Sequence, residues 1–218
     1  SYRNLNDFFA RIYYTKNGEG YIIHHDKKFK LTPGKLFLIP PYSNMKAYCP
    51  DKMTQYWIHF NARVLMGVNL FDILIPSYEV KLEDEKYIVK QLKRLLDVYN
   101  SQEMIRKYEA DTIIRNFLYL FVKDSIVNSE KVSYIIKFEK VLSYIEENLN
   151  KQLDLKDLAS KAFLHPTYFS NLFCKFMGVP PIKYINLKKI EKAKTLLFSQ
   201  NDSVEQISEK LGFLDAFY

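Results

Sequence analysis

The hydrophobic period of this chain changes once, near Glu83, and that change commits it to a strand-rich part followed by a helical part. Before it, short β-branched and aromatic runs are cut at regular intervals by turn chemistry. The runs are Phe8 to Tyr14, Tyr21 to His24, Phe29 to Leu31, Leu36 to Ile39 and Gln55 to Phe60. Between them stand Lys16-Asn17-Gly18-Glu19-Gly20, His25-Asp26-Lys27-Lys28 and Thr32-Pro33-Gly34, the last with Pro and Gly where a type II turn needs them. Pro40-Pro41 stops the fourth run, because proline cannot donate to a ladder. In the fifth, alternation puts Trp57 and His59 on one face and Tyr56, Ile58 and Phe60 on the other. A small antiparallel barrel or sandwich over residues 1–80 is expected.

From Glu83 on, apolar residues recur at three and four. Ile88, Leu92, Leu95, Leu96 and Tyr99 form one stripe, and Ile113, Ile114, Phe117, Leu118, Phe121 and Val122 form another. Asn100-Ser101-Gln102 breaks them apart, so residues 81–128 are read as an antiparallel helix pair whose wide stripe suits dimerisation. Asn128-Ser129-Glu130-Lys131 is polar and is read as a linker. Residues 129–218 read as short helices. Phe138, Val141, Leu142 and Ile145 line the first, and Asp154 is an N-cap candidate for the next. His165-Pro166-Thr167 opens a third that stops at Gly178; Pro180-Pro181 begins a longer one; Ser203 with Gln206 spells a capping box.

Charge adds direction. The net charge is +7, and residues 156–194 hold 8 Lys against 2 acids, a local excess that favours a polyanionic partner. Cys49 and Cys174 form neither a disulfide framework nor a metal pair. No run of about 18 uncharged apolar residues occurs, and Ser1-Tyr2-Arg3-Asn4-Leu5 lacks a basic-then-apolar leader, so a soluble cytoplasmic protein without membrane contact is expected.

Two short helices joined by a tight turn, Asp154 to Ala162 and Pro166 to Met177, make a helix-turn-helix whose second member fits a major groove about 12 Å wide. The residues say more. Asp157-Leu158-Ala159-Ser160-Lys161-Ala162, Pro166 through Gly178, Pro181 with Tyr184, and Ile190-Glu191-Lys192-Ala193-Lys194-Thr195-Leu196-Leu197 closely resemble the DNA-binding domain of AraC/XylS-family transcription regulators. Ser203 to Phe213 looks like the first helix and turn of that family's second helix-turn-helix, which is incomplete at Tyr218. Gly18-Glu19-Gly20, Leu31-Thr32-Pro33-Gly34, Leu36 through Pro41 and Tyr56 through Phe60 are similar to the family's cupin-like sensor domain. The resemblance implies an α+β protein: an N-terminal cupin-like β-barrel with a helical pair, then an all-α double helix-turn-helix domain. It implies double-stranded DNA and a small-molecule effector, a sugar or related metabolite, as partners of a homodimer.

By the same resemblance Thr167, Ser170 and Asn171 read base edges. Asn bridges adenine N6 and N7, and Ser and Thr bond either partner. Lys175, Lys161 and Lys189 are phosphate contacts, with Lys188, Lys192 and Lys194 as further candidates. Tyr21, Tyr48, Trp57 and His59 are expected to line the effector site, with core packing as the competing role for each. The alternatives are a cupin-like small-molecule binder and a metal-dependent cupin enzyme. His24 and His25 are adjacent and point to opposite faces, no His-x-His pair exists, and Met45 stands where the family often has His. Neither catalysis nor a metal or cofactor is therefore expected.

Overall fold

A computed structural model of the chain describes residues 2–24, 26–64, 68–199 and 203–213. His25 and the residues after Phe213 lie outside the described residues. The chain divides into two compact units, residues 1–62 with 69–127 and residues 63–68 with 128–218. Among the described residues no helix is long and apolar enough to cross a membrane.

The first unit begins with seven strands: β1 (Tyr2–Leu5), β2 (Ala10–Gly18), β3 (Gly20–His24), β4 (Lys27–Leu31), β5 (Lys35–Ile39), β6 (Met45–Tyr48) and β7 (Met53–Phe60). Two short strands, β8 (Arg63–Val64) and β9 (Val68–Asn69), precede β10 (Glu79–Lys81). The order β1-β6-β3-β4 makes one antiparallel sheet and β10-β5-β2-β7 a second. Leu5, Ile22, Leu31 and Met45 from the first sheet meet Tyr13, Phe37 and Ile39 from the second in one buried cluster, so the sheets face each other across a shared core. Strands β1 and β6 carry no strand period in the sequence, because Tyr2–Leu5 and Met45–Tyr48 are short and half polar. The first run reaches past Tyr14 to Gly18, with an irregularity between Thr15 and Asn17. Gly18 turns there at φ 79°, and a Cβ on it would sit 2.2 Å from the Lys52 carbonyl oxygen.

The second sheet is covered on both sides, which explains the unbroken apolar run Leu36-Phe37-Leu38-Ile39. Phe37 and Ile39 point inward, while Leu36, Leu38, Ile12, Tyr14 and Ile58 pack against two helices, α1 (Glu85–Tyr99) and α2 (Met104–Val122). Ile88, Leu92, Leu95 and Val98 of α1 and Ala110, Ile113, Phe117 and Phe121 of α2 complete that layer. The expected helix pair is present, and much of its apolar stripe is spent on its own sheet. Asp84 caps α1 by accepting from the Tyr87 N–H at 2.9 Å. The next residue, Glu85, ties helix to sheet: its Oε1 accepts the Tyr14 hydroxyl at 2.6 Å and the Gly34 N–H at 3.0 Å. Burial, then the bond to Glu85, pushes the Tyr14 phenol up to about 12.

The second unit is helical: α3 (Ser129–Lys137), α4 (Glu139–Glu147), α5 (Leu155–Lys161), α6 (Pro166–Met177), α7 (Pro181–Ser199) and α8 (Val204–Lys210). The polar stretch read as a linker starts α3, because Asn128 is its cap and accepts from the Lys131 N–H at 2.8 Å. Aromatic rings hold the unit together. Phe138 lies 5.6 Å from both Phe169 and Phe173, Phe173 lies 5.3 Å from Tyr184, and Tyr134 stacks on Phe176.

Helices α5 and α8 are copies of one device. Each has seven residues behind a side-chain cap, Asp154 or Ser203, and each ends in the same double bond pattern. The Phe163 N–H bonds the Ser160 carbonyl and the Leu164 N–H the Ala159 carbonyl, both at 3.0 Å. The Gly212 N–H bonds Glu209 and the Phe213 N–H Ser208, again at 3.0 Å. This is the Schellman closure, which needs a left-handed residue after the cap. Gly212 supplies it at φ 62°, but Phe163 must adopt it at φ 57°.

Candidate nucleic-acid interface and ligand site

The geometry of α6 follows from its sequence. Pro166 opens it where no N–H partner is needed, and Gly178 closes it at φ 78° with its N–H on the Cys174 carbonyl at 2.9 Å. Phe169, Phe173 and Phe176, spaced at four and three, are buried and fix which side faces the unit. The opposite side presents Thr167 and Asn171 to solvent, one turn apart, with Ser170 half-buried at its border. Lys175 is exposed a further turn on, 3.5 Å from the exposed Glu130 carboxylate. Tyr168, 57% exposed, flanks the same side, a place its sequence hides because an aromatic next to Phe169 looks like more core. Lys161 is half-buried, with its Nζ 3.7 Å above the Tyr144 ring.

Lys189 does not belong to this surface. It is 6% exposed, its Nζ donates to the Gly212 carbonyl at 3.2 Å, and burial pushes its ammonium below the ordinary lysine value. Lys188 is also buried, 3.6 Å from Glu146 and 3.8 Å from Glu191, with Arg63 3.0 Å from Glu191. Both lysines read as surface charge because α7 has too weak a period to say which face is covered. Lys192 remains exposed and Lys194 half-buried.

In the first unit, strand parity separates the four expected ligand residues. Ile22 and Ala47 pair across β3 and β6 and point into the core, so their neighbours Tyr21 and Tyr48 lie on the outer face of the sheet. The two rings stack there 6.3 Å apart, with the Lys28 Nζ 3.9 Å from Tyr21 and the Tyr21 hydroxyl donating to Glu19 at 2.9 Å. They do not line the interior. Trp57 and His59 do face inward: they pair with Tyr13 and Arg11 on β2, and Tyr13 belongs to the inner cluster. Strand β7 is the edge of its sheet, so Trp57 stays 59% exposed although its face is the inner one.

Around them lies a polar inner surface. Arg11 is 2% exposed, pairs with Asp7 and lies 4.7 Å over the Phe9 ring. The Phe9 and His59 rings are 4.3 Å apart, and those of His59 and Trp57 4.6 Å apart. Gln55, paired with Thr15 on the same face, has a buried Oε1 with no hydrogen-bond partner among the described residues. Desolvation first, then the Arg11 guanidinium, pushes the His59 imidazole down to about 4. Arg11 was legible as a charge at the inward parity of Ala10-Arg11-Ile12-Tyr13, a position that a buried strand does not give to a cation without a reason. Among the described residues no group of three or more His, Cys, Asp or Glu is placed to hold a metal ion.

Comparison with known proteins finds a match for each part of the chain. Residues 3–116 match the AraC-like ligand binding domain, and residues 158–218 match a helix-turn-helix domain. The uncharacterized HTH-type transcriptional regulator YisR of Bacillus subtilis is 24% identical over 95% of this chain and 78% of its own length. The raffinose operon transcriptional regulatory protein RafR of Pediococcus pentosaceus is 22% identical over 98% of this chain and 79% of its own. Among solved structures, unsaturated fatty acid bound ToxT from Vibrio cholerae superposes over 100% of this chain and 84% of its own, with TM-score 0.55 at 12% identity. With a sensor-type sheet unit and a helix-turn-helix unit each matched in its own half, the chain belongs to the AraC family of DNA-binding transcription regulators.

Proposed function

We propose that α6 is the reading helix, laid in the major groove with Thr167, Ser170 and Asn171 toward base edges. Lys175 and Lys161 then meet phosphates on either side, and Lys192 extends that contact along α7. The observation that carries this reading is the division of α6 itself. Its Phe169-Phe173-Phe176 stripe is consumed by the core, and Thr167 and Asn171 stand opposite it with Ser170 at the border. Tyr168 adds an exposed ring at the border, suited to packing on a sugar or a thymine methyl.

The first unit senses a small molecule, a sugar or related metabolite, at the inner face that carries Trp57 and His59. A regulator of a raffinose operon among the relatives supports that class. The helix pair supplies the homodimer contact through Leu96, Tyr99, Met104, Ile105 and Tyr108, which remain exposed after the sheet is covered. The ligand acts by shifting the population of dimers able to hold both half-sites. The protein acts by binding, in the cytoplasm and without catalysis.

The test begins by selecting duplexes from a random library with the full chain. Asn171→Ala should relax preference at one base pair by about 1–3 kcal/mol and leave the others unchanged. Lys175→Ala should weaken all duplexes alike and lower the slope of log affinity against log salt by about 1. Unchanged preference in Asn171→Ala, together with an unchanged salt slope in Lys175→Ala, would remove α6 from the groove.

A further inference from the structure

We propose that the effector is a small hydroxylated anion: its acidic group is held by Arg11, its hydroxyls reach Gln55, and its ring or chain lies on Trp57. The inference rests on the reading of the Trp57 and His59 face as the ligand site and adds the charge of what binds there.

Three observations carry it. The first is the charge count. Arg11 stands at the inward parity of β2 and Arg3 pairs with the inward Ala47 on β1, while Asp7 is the carboxylate that Arg11 contacts, so these three groups together carry one net positive charge. Asp7 compensates the buried Arg11, and the exposed Arg3 at the rim of the same face is the cation left over. The second is donor capacity. A guanidinium carries five N–H donors, and Asp7 accepts from Nη2. Arg11 otherwise meets the face of Phe9, which accepts charge but no directed bond. A carboxylate or a phosphate ester is the partner that uses such a fork.

The third observation is the buried Oε1 of Gln55, which lacks a donor among the described residues. It stands two positions from Trp57 on the same strand face, so a hydroxyl on a ligand stacked over the indole is within the reach of one side chain. Trp57 offers the apolar plane, because more than half of it is open to solvent at the sheet edge. A neutral sugar would satisfy Gln55 and Trp57 and leave the excess charge unanswered. A fatty acid would answer the charge and leave Gln55 without its donor. A sugar acid or a hexose phosphate satisfies all three.

Trp57 is the single tryptophan of the sequence, so intrinsic emission of the full chain reads this site directly. The chain is titrated into the millimolar range with gluconate, galacturonate, a hexose phosphate, galactose and raffinose, and melting temperature is followed in parallel. Saturable emission changes are expected with the acids, at concentrations roughly tenfold or more below any change with the neutral sugars. Arg11→Gln should abolish that preference. Because Arg11 is buried, Arg3→Gln is the control: it is exposed, should leave the fold intact, and should weaken the acids a few-fold without changing the neutral sugars. Preference for galacturonate over the hexose phosphate would assign a carboxylate, and the reverse a phosphate ester. Neutral sugars that move Trp57 emission as well as their acids overturn the anion and keep the site. Acids that shift melting but not emission overturn the site as well. No response of either kind to any acid overturns the inference.

Discussion

Phe163 should be more stable as glycine than as alanine, the reverse of the usual order. It occupies the left-handed position of the closure after α5 at φ 57°, where a side chain costs about 1–2 kcal/mol. The ring gives little back. It is 84% exposed, and its one ring contact among the described residues is the Lys140 ammonium 6.0 Å from the centroid, about 0.5 kcal/mol at an exposed site. Phe163→Ala keeps the strain and loses that contact, so it should be neutral or destabilised by about 0.5 kcal/mol. Phe163→Gly removes the strain but frees the unfolded chain by about 0.5–1 kcal/mol. The balance places glycine above alanine by about 0.5–1 kcal/mol, or roughly 2–8 °C in the melting of a unit this size. The matching position after α8 is already glycine, so the protein contains its own reference. Thermal and urea unfolding of the full chain, followed by helical circular dichroism, measures the order. If alanine equals or exceeds glycine, the left-handed strain at Phe163 is refuted.

Other outcomes follow from the same coordinates. Phe173→Ala removes a fully buried ring bounded by Phe138, Phe169 and Tyr184, and should cost about 3–5 kcal/mol in urea unfolding; a loss under about 1 kcal/mol would mean the cluster is not the core of the helical unit. Gly212→Ala would bring a Cβ to 2.2 Å from the Asn150 carbonyl oxygen, so backbone must move and about 2 kcal/mol or more should be lost. Gly34→Ala, with nothing within 4 Å, should show only the left-handed cost of about 1–2 kcal/mol, and equal melting of the two would deny the close approach at Gly212. His59 is held neutral in the folded chain, down to about 4 against 6.5. As pH falls through that interval the unfolded chain takes up the proton first, so this contribution is constant above it and lost on the way down. His59→Gln should flatten part of the acid-side decline in melting temperature, and identical pH profiles would place the imidazole at its ordinary value.

Much of the architecture was legible because it is written in local chemistry. Asp154, Pro166, Gly178 and the Ser203 with Gln206 box mark helix ends through bonds made within a few residues, and each is found where those residues stand. The Phe169-Phe173-Phe176 stripe announced its own burial by spacing. The same local logic failed where polarity is shared between roles. Asn128-Ser129-Glu130-Lys131 has the composition of a linker and also that of a helix start, and a structured neighbour decided for the helix. Strands β1 and β6 are too short to display a period, and pairing with each other and with β3 makes them strands.

The candidate sites divide along the same line. By itself the amino-acid order determined the strand-then-helix layout, the two helix-turn-helix starts and the outward hydroxyl and amide flank of α6, because period and capping act within one or two turns. Only the tertiary structure decided which face of a sheet is the inside. It turned Tyr21 and Tyr48 out, kept Trp57 and His59 in, and brought Arg11 beside them. It also buried Lys189 under Gly212, a residue far along the chain. Side-chain parity is a local property, but which parity meets water is set by the partner sheet, and that partner is chosen by packing across the whole chain.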